Sequence, residues 1–422
     1  MKILIMMVII CVPFDRNTVF FPKHMDKESE NILNAFKYEV LDVAKKEIEF
    51  TKKSKSYREI RKQCKEVKAY IKQENLEIVP SDKTKRLCIT DRDTHIKNTS
   101  SLLSNKEIYQ LLPRSKCLSI ERQANKLVNS CFKNSLNRNQ LERLQVSNSK
   151  PAPFRTLIKD HKNKVGEMFP MRPIASAIHT PTEKIDWLCS KVLNQLVKFV
   201  PAHLNSSDEL TDILDYFNGA NDSGKFISLD VIALYPSIPI TQALDIVIEF
   251  AKKHWSEIDR FNLTLEQFSN CLKFVSYNYE IQYEDQTYLQ ISGVPMGTHY
   301  APPFAIIFMN YVESIALEKL KSVQISPSIY KRFIDDVIMG PFPSNFPYFD
   351  KIAEVFNGVN QKIQFTLEIP KQELNFLDLS IWERDHKIYY KHFTKPIASD
   401  NSLRKDSWIP RHVFYTCILH VF

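Results

Sequence analysis

Short hydrophobic runs that end in acidic or turn-forming residues are the clearest pattern in the second half of the chain. Residues 225–229 predict a strand that ends at Asp230, and residues 333–340 predict a hairpin that carries the doublet Asp335-Asp336 at its turn. Apolar residues on both sides of each segment predict that the backbones are buried as sheet strands. The pattern therefore places three carboxylates at the ends of buried strands.

Helical spacing of apolar residues predicts two helices near these strands. The first spans residues 180–200, because residues 180–183, TPTE, have the form of a capping box with proline at the first helical position. Its buried stripe consists of Ile185, Leu188, Val192, Leu196 and Phe199. The stripe of the second helix, which is expected to pack beneath the carboxylates, consists of Phe304, Ile307, Phe308, Tyr311 and Ile315.

Simpler patterns predict the remaining elements. Residues 362–369 and 374–382 predict two strands that bracket a polar turn at residues 370–373. In the first half of the chain, residues 31–74 mix Lys and Glu with recurring apolar positions, which predicts long charged helices.

The composition is that of a soluble globular protein, and the distribution of charge indicates a polyanionic partner. The chain has 422 residues, of which 44% are hydrophobic and 25% charged, with a net charge of +8. Residues 1–150 carry 30 Lys and Arg against 18 Asp and Glu, or +12, whereas the remaining residues carry 27 against 31, or −4. A basic first part suits a polyanionic nucleic acid, whose affinity falls steeply with salt.

Cysteine usage and the first residues bear on location. Eight cysteines occur without a CxxC pair, which argues against a zinc site and fits reduced thiols inside a cell. Residues 3–12 form an apolar run that is too short to span a bilayer and lacks a following small-residue cleavage site. We therefore expect an intracellular protein, nuclear or cytoplasmic, without a membrane partner. We interpret the apolar run as a buried segment or an imprecise gene start, and a signal peptide is the alternative.

The three carboxylates at the strand ends must be stabilised, and the way in which they are stabilised indicates the chemistry of the site. Carboxylates at the ends of buried strands must be paired, hydrated or bound to a cation. Two Mg²⁺ ions, with Mn²⁺ as a substitute, would activate an attacking hydroxyl and stabilise the leaving oxygen of a phosphoryl transfer. An ordinary Asp-Asp turn is the alternative, because Asp is a favoured turn residue. For the doublet alone, that alternative is the stronger interpretation.

A glycine-containing loop precedes the second predicted helix. The chain has only seven glycines, and Gly293 and Gly297 both fall within residues 292–302. This concentration predicts positions where the backbone turns with positive φ or approaches a ligand closely.

The order of these segments resembles the palm of a reverse transcriptase, most closely that of Penelope-like retroelements. Residues 230–239, 292–302 and 330–336 resemble its three palm motifs. The resemblance implies that Asp230 and Asp335 are the principal metal ligands and catalytic residues. It also implies that the carbonyl of Val231 is a further ligand and that Asp336 assists in both roles.

The same resemblance assigns the nucleotide and primer contacts. It implies that Tyr235 is the steric gate against a 2′-hydroxyl. Residues 154–162 and 171–176 resemble the two finger motifs, in which Arg172 would bind the triphosphate and Lys159 is a second phosphate candidate. The other implied contacts are those of the nucleotide loop, Gly293, Met296 and Gly297, and of the primer grip, Phe376, Leu377 and Asp378.

Three further positions carry expectations from the resemblance. Lys362 and Lys371 are both candidates for the general acid that protonates pyrophosphate, and spacing does not choose between them. Ala301 stands where a serine is usual in the family, which is expected to weaken positioning of template or nucleotide. His299 is uncommon in the loop, and a solvent-facing side chain is favoured over a catalytic one.

The implied architecture is an α+β right-hand polymerase. Its parts are an N-terminal helical region at 1–74, a basic extension at 75–150, fingers at 151–228, a palm with an antiparallel sheet at 229–386 and a partial thumb at 387–422. The GIY-YIG nuclease of many relatives has no room here. Residues 79–90 resemble a segment found ahead of the polymerase, to which we assign no catalytic role.

The implied function is RNA-directed DNA polymerisation, with an RNA template, a DNA primer and deoxynucleotides as partners. A truncated, inactive nucleic-acid-binding remnant and an RNA-directed RNA polymerase are the alternatives. All three carboxylates are present, which argues against the remnant. Ile334 before the doublet and Tyr235 at the gate point to a DNA product rather than RNA.

Overall fold

The computed structural model describes residues 55–84, 86–160, 169–219, 224–343 and 345–394. The apolar run at 3–12, most of the predicted charged helices and the end of the predicted thumb lie outside the described residues. Of the charged helices, the last predicted turns are seen as a helix over Lys55–Gln73. Among the described residues, no helix has the length and apolar character needed to cross a bilayer.

The described elements alternate between helices and strands. The helices are α1 Lys55–Gln73, α2 Arg92–Leu103, α3 Cys117–Phe132, α4 Arg138–Leu144, α5 Glu183–Leu196, α6 Ser207–Gly219, α7 Leu234–Ser237, α8 Ile240–Lys253, α9 Leu265–Tyr277, α10 Ala301–Ser322 and α11 Phe349–Asn357. The strands are β1 Leu76–Pro80, β2 Leu87–Asp91, β3 Tyr109–Leu112, β4 Ala152–Ile158, β5 Met171–Ala175, β6 Lys225–Val231, β7 Glu280–Tyr283, β8 Gln286–Gln290, β9 Ile329–Phe333, β10 Asp336–Phe342, β11 Phe365–Glu368, β12 Leu374–Phe376, β13 Leu379–Arg384 and β14 Lys387–His392.

Two sheets position the site. The first has the order β11-β6-β10-β9 and is antiparallel throughout, so that it brings the predicted strand at β6 beside the predicted hairpin β9–β10. The second has the order β3-β8-β7-β4-β5, with β4 and β7 parallel. Because β3 comes from the predicted basic extension, part of that extension is built into the second sheet. Two smaller sheets, β1-β2 and β12-β13-β14, complete the fold.

Helices α5, α8, α9 and α10 pack with the first sheet around the main hydrophobic core. Helix α10 is buried over nearly all of its first half, because apolar residues there occupy every face. The predicted stripe of α10 is correct at Phe304, Ile307 and Phe308 but wrong at its end. Tyr311 is exposed and Ile315 half-buried, because the buried face continues instead through Val312, Ala316 and Leu320.

The predicted capping box at 180–183 is wrong in its details. Helix α5 begins at Glu183, and its N-cap Thr182 makes no side-chain hydrogen bond. The Thr180 hydroxyl donates to the carbonyl of Ala177, and Glu183 accepts from the backbone N–H of His179. The TPTE segment thus stabilises the loop that leads into the helix.

The predicted strand at 374–382 is divided into two. Strands β12 and β13 pair as a hairpin whose turn contains Leu377 with φ 52°. Strand β11 does not pair with them and joins β6 instead. Two short hydrophobic runs separated by a tight turn have the same composition as one strand, so periodicity alone does not locate the break. The α+β class itself is confirmed.

Candidate active site

The three acidic residues meet at one end of the first sheet. Asp336 is the direct cross-strand partner of Asp230, and directly opposed residues have Cβ atoms about 4.5–5.5 Å apart on the same face. Asp335 lies in the two-residue turn between β9 and β10, and its carbonyl accepts from the N–H of Val231 at 3.1 Å. The antiparallel register thus brings together the carboxylates that were separated by about a hundred residues in sequence.

A buried arginine supports the turn that carries Asp335. Ile334, the first turn residue, has φ 56°, which is strained by roughly 1–3 kcal/mol for a β-branched residue. Arg332 is 0% exposed, and its Nη1 donates to the carbonyl of Ile334 at 2.9 Å. Its guanidinium also forms an ion pair with buried Glu313 of α10, which accepts from the hydroxyl of Tyr330 as well. Sequence reasoning missed this pair, which is formed across 19 residues.

The oxygen donors at this end of the sheet fit a hard divalent cation. The side chain of Asp230 is exposed, and those of Asp335 and Asp336 are half-buried, so water and ions have access to them. Carboxylate oxygens are the ligands that Mg²⁺ prefers. Within the described ranges, no three or more His, Cys, Asp and Glu side chains form a group that could hold a metal ion by themselves.

Tyr235 lies between the acidic turn and the second sheet. It belongs to α7, which follows Ala233 at φ 48°. Burial, followed by the nearby Asp335 carboxylate, raises the pKa of Tyr235 to about 12, and Arg172 opposes this shift. The phenol therefore remains protonated near neutral pH, within electrostatic range of both a carboxylate and an arginine.

The glycine loop joins the two sheets. Gly293 has φ 71°, and a Cβ there would lie 2.7 Å from Cα of Pro236. Gly297 has φ 122°, and a Cβ there would lie 2.2 Å from the carbonyl oxygen of Ala175. The predicted positive φ values are confirmed, and the close approach is to protein backbone on both sides.

Backbone hydrogen bonds lock this loop in place. Val294 N–H donates to the carbonyl of Tyr235 at 2.8 Å, and Ala175 N–H donates to the carbonyl of Met296 at 2.8 Å. Met296 and Pro236 line a small pocket at the junction. The loop consequently fixes the distance between β5, which carries Arg172, and the segment that carries Tyr235.

Two predicted phosphate contacts lie on one face of the β4–β5 hairpin. Arg172 is the cross-strand partner of Leu157, and Lys159 extends the pairing by donating its N–H to the carbonyl of Pro170 at 2.9 Å. Because side chains alternate with a period of two, Lys159 and Arg172 are diagonal neighbours. The Nε of Arg172 lies 3.2 Å from Oδ1 of Asp82. Asp82 belongs to the 79–90 segment, to which sequence reasoning assigned no role in the site.

His299 faces solvent, as expected, and its ring is also anchored to Asp186. Its side chain is half-exposed, but its Nδ1 and its backbone N–H each lie 2.9 Å from Oδ2 of Asp186, and Tyr300 N–H donates to Oδ1 at 2.8 Å. Asp186 is fully buried in α5. The only sequence signal for it was a carboxylate beside the apolar stripe of α5. Ala301 begins α10 and is itself buried.

The predicted primer-grip residues form the β12–β13 hairpin. Phe376 is buried in a second hydrophobic cluster, Leu377 is half-buried and Asp378 is exposed. The carbonyl of Asp378 accepts from Phe393 N–H at 2.7 Å, which ties the turn to the segment after β14.

The two candidate general acids lie at opposite ends of β11. Thr366 is opposite Asp230, and Gln364 accepts from the N–H of Ile232. Lys362 therefore lies towards the end of the sheet that carries the acidic turn. Lys371 follows the other end of β11, and both lysine side chains are exposed.

No protein-family model and no curated protein sequence matches the chain. Among solved structures, the telomerase of Candida albicans in complex with a telomeric RNA fragment matches with a TM-score of 0.52 at 10% identity, over 82% of this chain and 60% of that chain. The chain shares the fold of that telomerase over the matched region, and it spans about three-fifths of the telomerase's length.

Two other solved structures match at lower scores. The apo telomerase of Candida tropicalis, truncated from its C-terminal domain, matches with a TM-score of 0.49 at 10% identity, over 74% of this chain and 63% of that chain. The RNA-dependent RNA polymerase of BmCPV in its quiescent state matches with a TM-score of 0.40 at 10% identity, over 73% and 29%. Of these three structures, only that of Candida albicans telomerase has a TM-score above 0.5, and the fold assignment depends on it alone.

Proposed function

We propose that the chain is the RNA-directed DNA polymerase of a Penelope-like retroelement, which adds deoxynucleotides to a primer 3′-hydroxyl on an RNA template. The observation that carries the proposal is the direct opposition of Asp230 and Asp336 across β6 and β10, with Asp335 at the adjoining turn. The polymerase fold and the basic first part of the chain support it.

The same three carboxylates, with the carbonyl of Val231, would hold Mg²⁺. When bound, a pair of such ions activates the attacking hydroxyl and stabilises the leaving oxygen. The support for this assignment is the donor set, which consists of hard oxygens on two adjacent strands at an accessible end of the sheet.

Other residues of the chain would bind and orient the substrates. Arg172 and Lys159 would bind triphosphate oxygens from one face of the β4–β5 hairpin. Tyr235 would lie under the sugar, where its ring excludes a 2′-hydroxyl. We propose Lys362 rather than Lys371 as the proton donor to pyrophosphate, because Lys362 lies towards the end of β11 nearer the acidic turn.

Primer extension on an RNA template with Mg²⁺ and deoxynucleotides tests the proposal. We expect extension by the unmodified chain and its loss in Asp335→Asn, which keeps the shape of the side chain but removes its charge. Asp245→Asn is the matched control, because it makes the same change at an exposed carboxylate on α8 that has no proposed role at the site. Extension by Asp335→Asn equal to that of the control would contradict the metal assignment.

The choice of substrate separates the remaining alternatives. Extension with ribonucleotides in preference to deoxynucleotides would identify an RNA polymerase. Salt-sensitive RNA binding without extension by the unmodified chain would identify a nucleic-acid-binding remnant. Either result would overturn the proposed function.

A further inference from the structure

The 79–90 segment places a buried carboxylate against the predicted triphosphate arginine. Asp82 is 2% exposed, whereas Arg172 is 41% exposed. We propose that Asp82 is a positioning residue for nucleotide binding, which holds the guanidinium of Arg172 so that its free edge faces the incoming triphosphate. This inference rests on the proposed function, because it takes a nucleoside triphosphate as the ligand.

The position of Asp82 is set by contacts that do not involve Arg172. Its N–H donates to the carbonyl of Ile158 at 2.9 Å, and Ser81 forms a parallel bridge with Ile158. The Thr84 hydroxyl donates to the carboxylate of Asp160 at 2.6 Å. The segment is therefore docked along β4, the strand next to β5, by contacts that are independent of the Asp82–Arg172 pair.

The ion pair engages one edge of the Arg172 guanidinium, which suits a role of Asp82 in positioning that side chain. The closest contact joins Oδ1 of Asp82 to Nε of Arg172, and a guanidinium has two further nitrogens that can bind a phosphate bidentately. The other oxygen of Asp82, Oδ2, is buried and has no hydrogen-bond partner among the described residues. A buried carboxylate with so few donors depends on Arg172, and it restricts the rotamers of that long side chain in return.

Electrostatics alone predicts the opposite outcome for a variant. Removing a negative charge beside an arginine raises the local potential and strengthens anion binding. Weaker binding of triphosphate after Asp82→Asn therefore isolates the positioning role from a simple charge effect.

A double-mutant cycle in the full chain tests the coupling. We expect Asp82→Asn to raise the KM for dTTP about tenfold, the loss of roughly one charge-assisted contact, with a smaller change in kcat. In an Arg172→Gln background the same change is expected to have no further effect on KM. Additive effects would overturn the inference.

Thr84→Val is the matched control, because it removes the hydrogen bonds of the Thr84 hydroxyl to Asp160 and Ser81 and leaves both partners of the Asp82–Arg172 pair in place. Its KM for dTTP is expected to stay within about twofold of the unmodified value. A KM for Thr84→Val as high as that of Asp82→Asn would mean that Asp82 acts only by docking the segment.

Binding of inorganic tripolyphosphate, measured by titration calorimetry, separates this inference from the proposed function. A chain that extends no primer would refute the polymerase, yet weaker tripolyphosphate binding by Asp82→Asn would still support the pairing. Tripolyphosphate binding by Asp82→Asn that is equal to or stronger than that of the unmodified chain would overturn the inference. Thermal melting checks that the variants fold. If Asp82→Asn does not fold, Asp82→Glu replaces it: this variant keeps the charge but displaces it, and we expect an intermediate affinity for tripolyphosphate.

Discussion

In the proposed function, the single side chain of Tyr235 selects between deoxynucleotides and ribonucleotides. Burial and the Asp335 carboxylate raise its pKa to about 12, against the opposing effect of Arg172, so the hydroxyl is neutral near physiological pH. We expect Tyr235→Ala to gain use of ribonucleotides, because the ring no longer excludes the 2′-hydroxyl. Tyr235→Phe, which keeps the ring, is the control and should retain both the preference for deoxynucleotides and the pH profile. Competition between labelled ribo- and deoxynucleotides in primer extension measures the preference.

Arg332 and Glu313 form the most deeply buried ion pair of the described residues. We expect Arg332→Met to lower the free energy of unfolding by about 3–5 kcal/mol, because it leaves the carboxylate of Glu313 buried without its partner. Primer extension should also fall, since the carbonyl of Ile334 loses its donor beside Asp335. Urea denaturation measures the first effect.

The control for this prediction is an exposed pair. Arg384→Met removes the partner of Asp385 at the surface and should cost less than about 1 kcal/mol. Adding Glu313→Leu to Arg332→Met should restore part of the lost stability, because no buried charge then remains unpaired. A double variant that is less stable than Arg332→Met would contradict this account.

The His299–Asp186 pair predicts a pH dependence. The hydrogen bond to Asp186 raises the pKa of His299 above its usual 6.5, with Glu183 raising it further and Lys191 opposing. A raised folded pKa means that this contribution to stability is fully present below about pH 6.5 and is lost as the pH rises through the raised pKa. We expect the advantage in Tm of the unmodified chain over His299→Gln to shrink across that window. An advantage that grows with pH would contradict the pairing.

At the scale of elements, the glycine loop is the joint between the two sheets. We expect Gly297→Ala to lower the free energy of unfolding by about 2–4 kcal/mol, because its Cβ would lie 2.2 Å from the carbonyl oxygen of Ala175 at φ 122°. Gly358→Ala is the control: its φ is −81°, so the change should stay within about 1 kcal/mol. Equal losses in chemical denaturation would show that the loop tolerates a side chain.

The individual elements differed in how well the sequence predicted them. Strand β6 and the presence of the hairpin β9–β10 were predicted correctly, because apolar runs on both sides of a polar turn favour a hairpin. The predicted bounds of the hairpin were wrong, because it begins at Ile329 and Asp336 belongs to β10 rather than to the turn. The end of α10 and the start of α5 were predicted wrongly. Burial of Val312 instead of Tyr311, and the hydrogen bond that His179 N–H donates to Glu183, depend on which neighbours pack there.

At the scale of the whole molecule, the charge asymmetry predicts how nucleic acid binds. On α1 the exposed residues Lys65, Lys68 and Lys72 recur at helical spacing. Changing all three to Gln should reduce the slope of log K for RNA binding against log salt concentration by about 2–3. The reason is that fewer counterions are released on binding when three phosphate contacts are lost. Binding measured across a salt series tests this.

The control variant removes the same number of positive charges from a different part of the chain. Lys252, Lys253 and Lys319 are exposed on α8 and α10, in the more acidic part of the chain. Their change to Gln should leave the salt slope nearly unaltered. An equal fall for both triple variants would mean that net charge, rather than the basic first part, governs binding.

By itself the sequence determined the strand at β6, the hairpin that carries the acidic doublet and the positive φ angles of Gly293 and Gly297. These properties depend on local periodicity and on the conformational limits of single residues. Only the tertiary structure decided that Asp336 faces Asp230, that Asp82 pairs with Arg172, that Asp186 anchors His299 and that Glu313 neutralises Arg332. Each of these pairs joins distant parts of the chain, and its distance is set by sheet register and core packing, which no local pattern encodes.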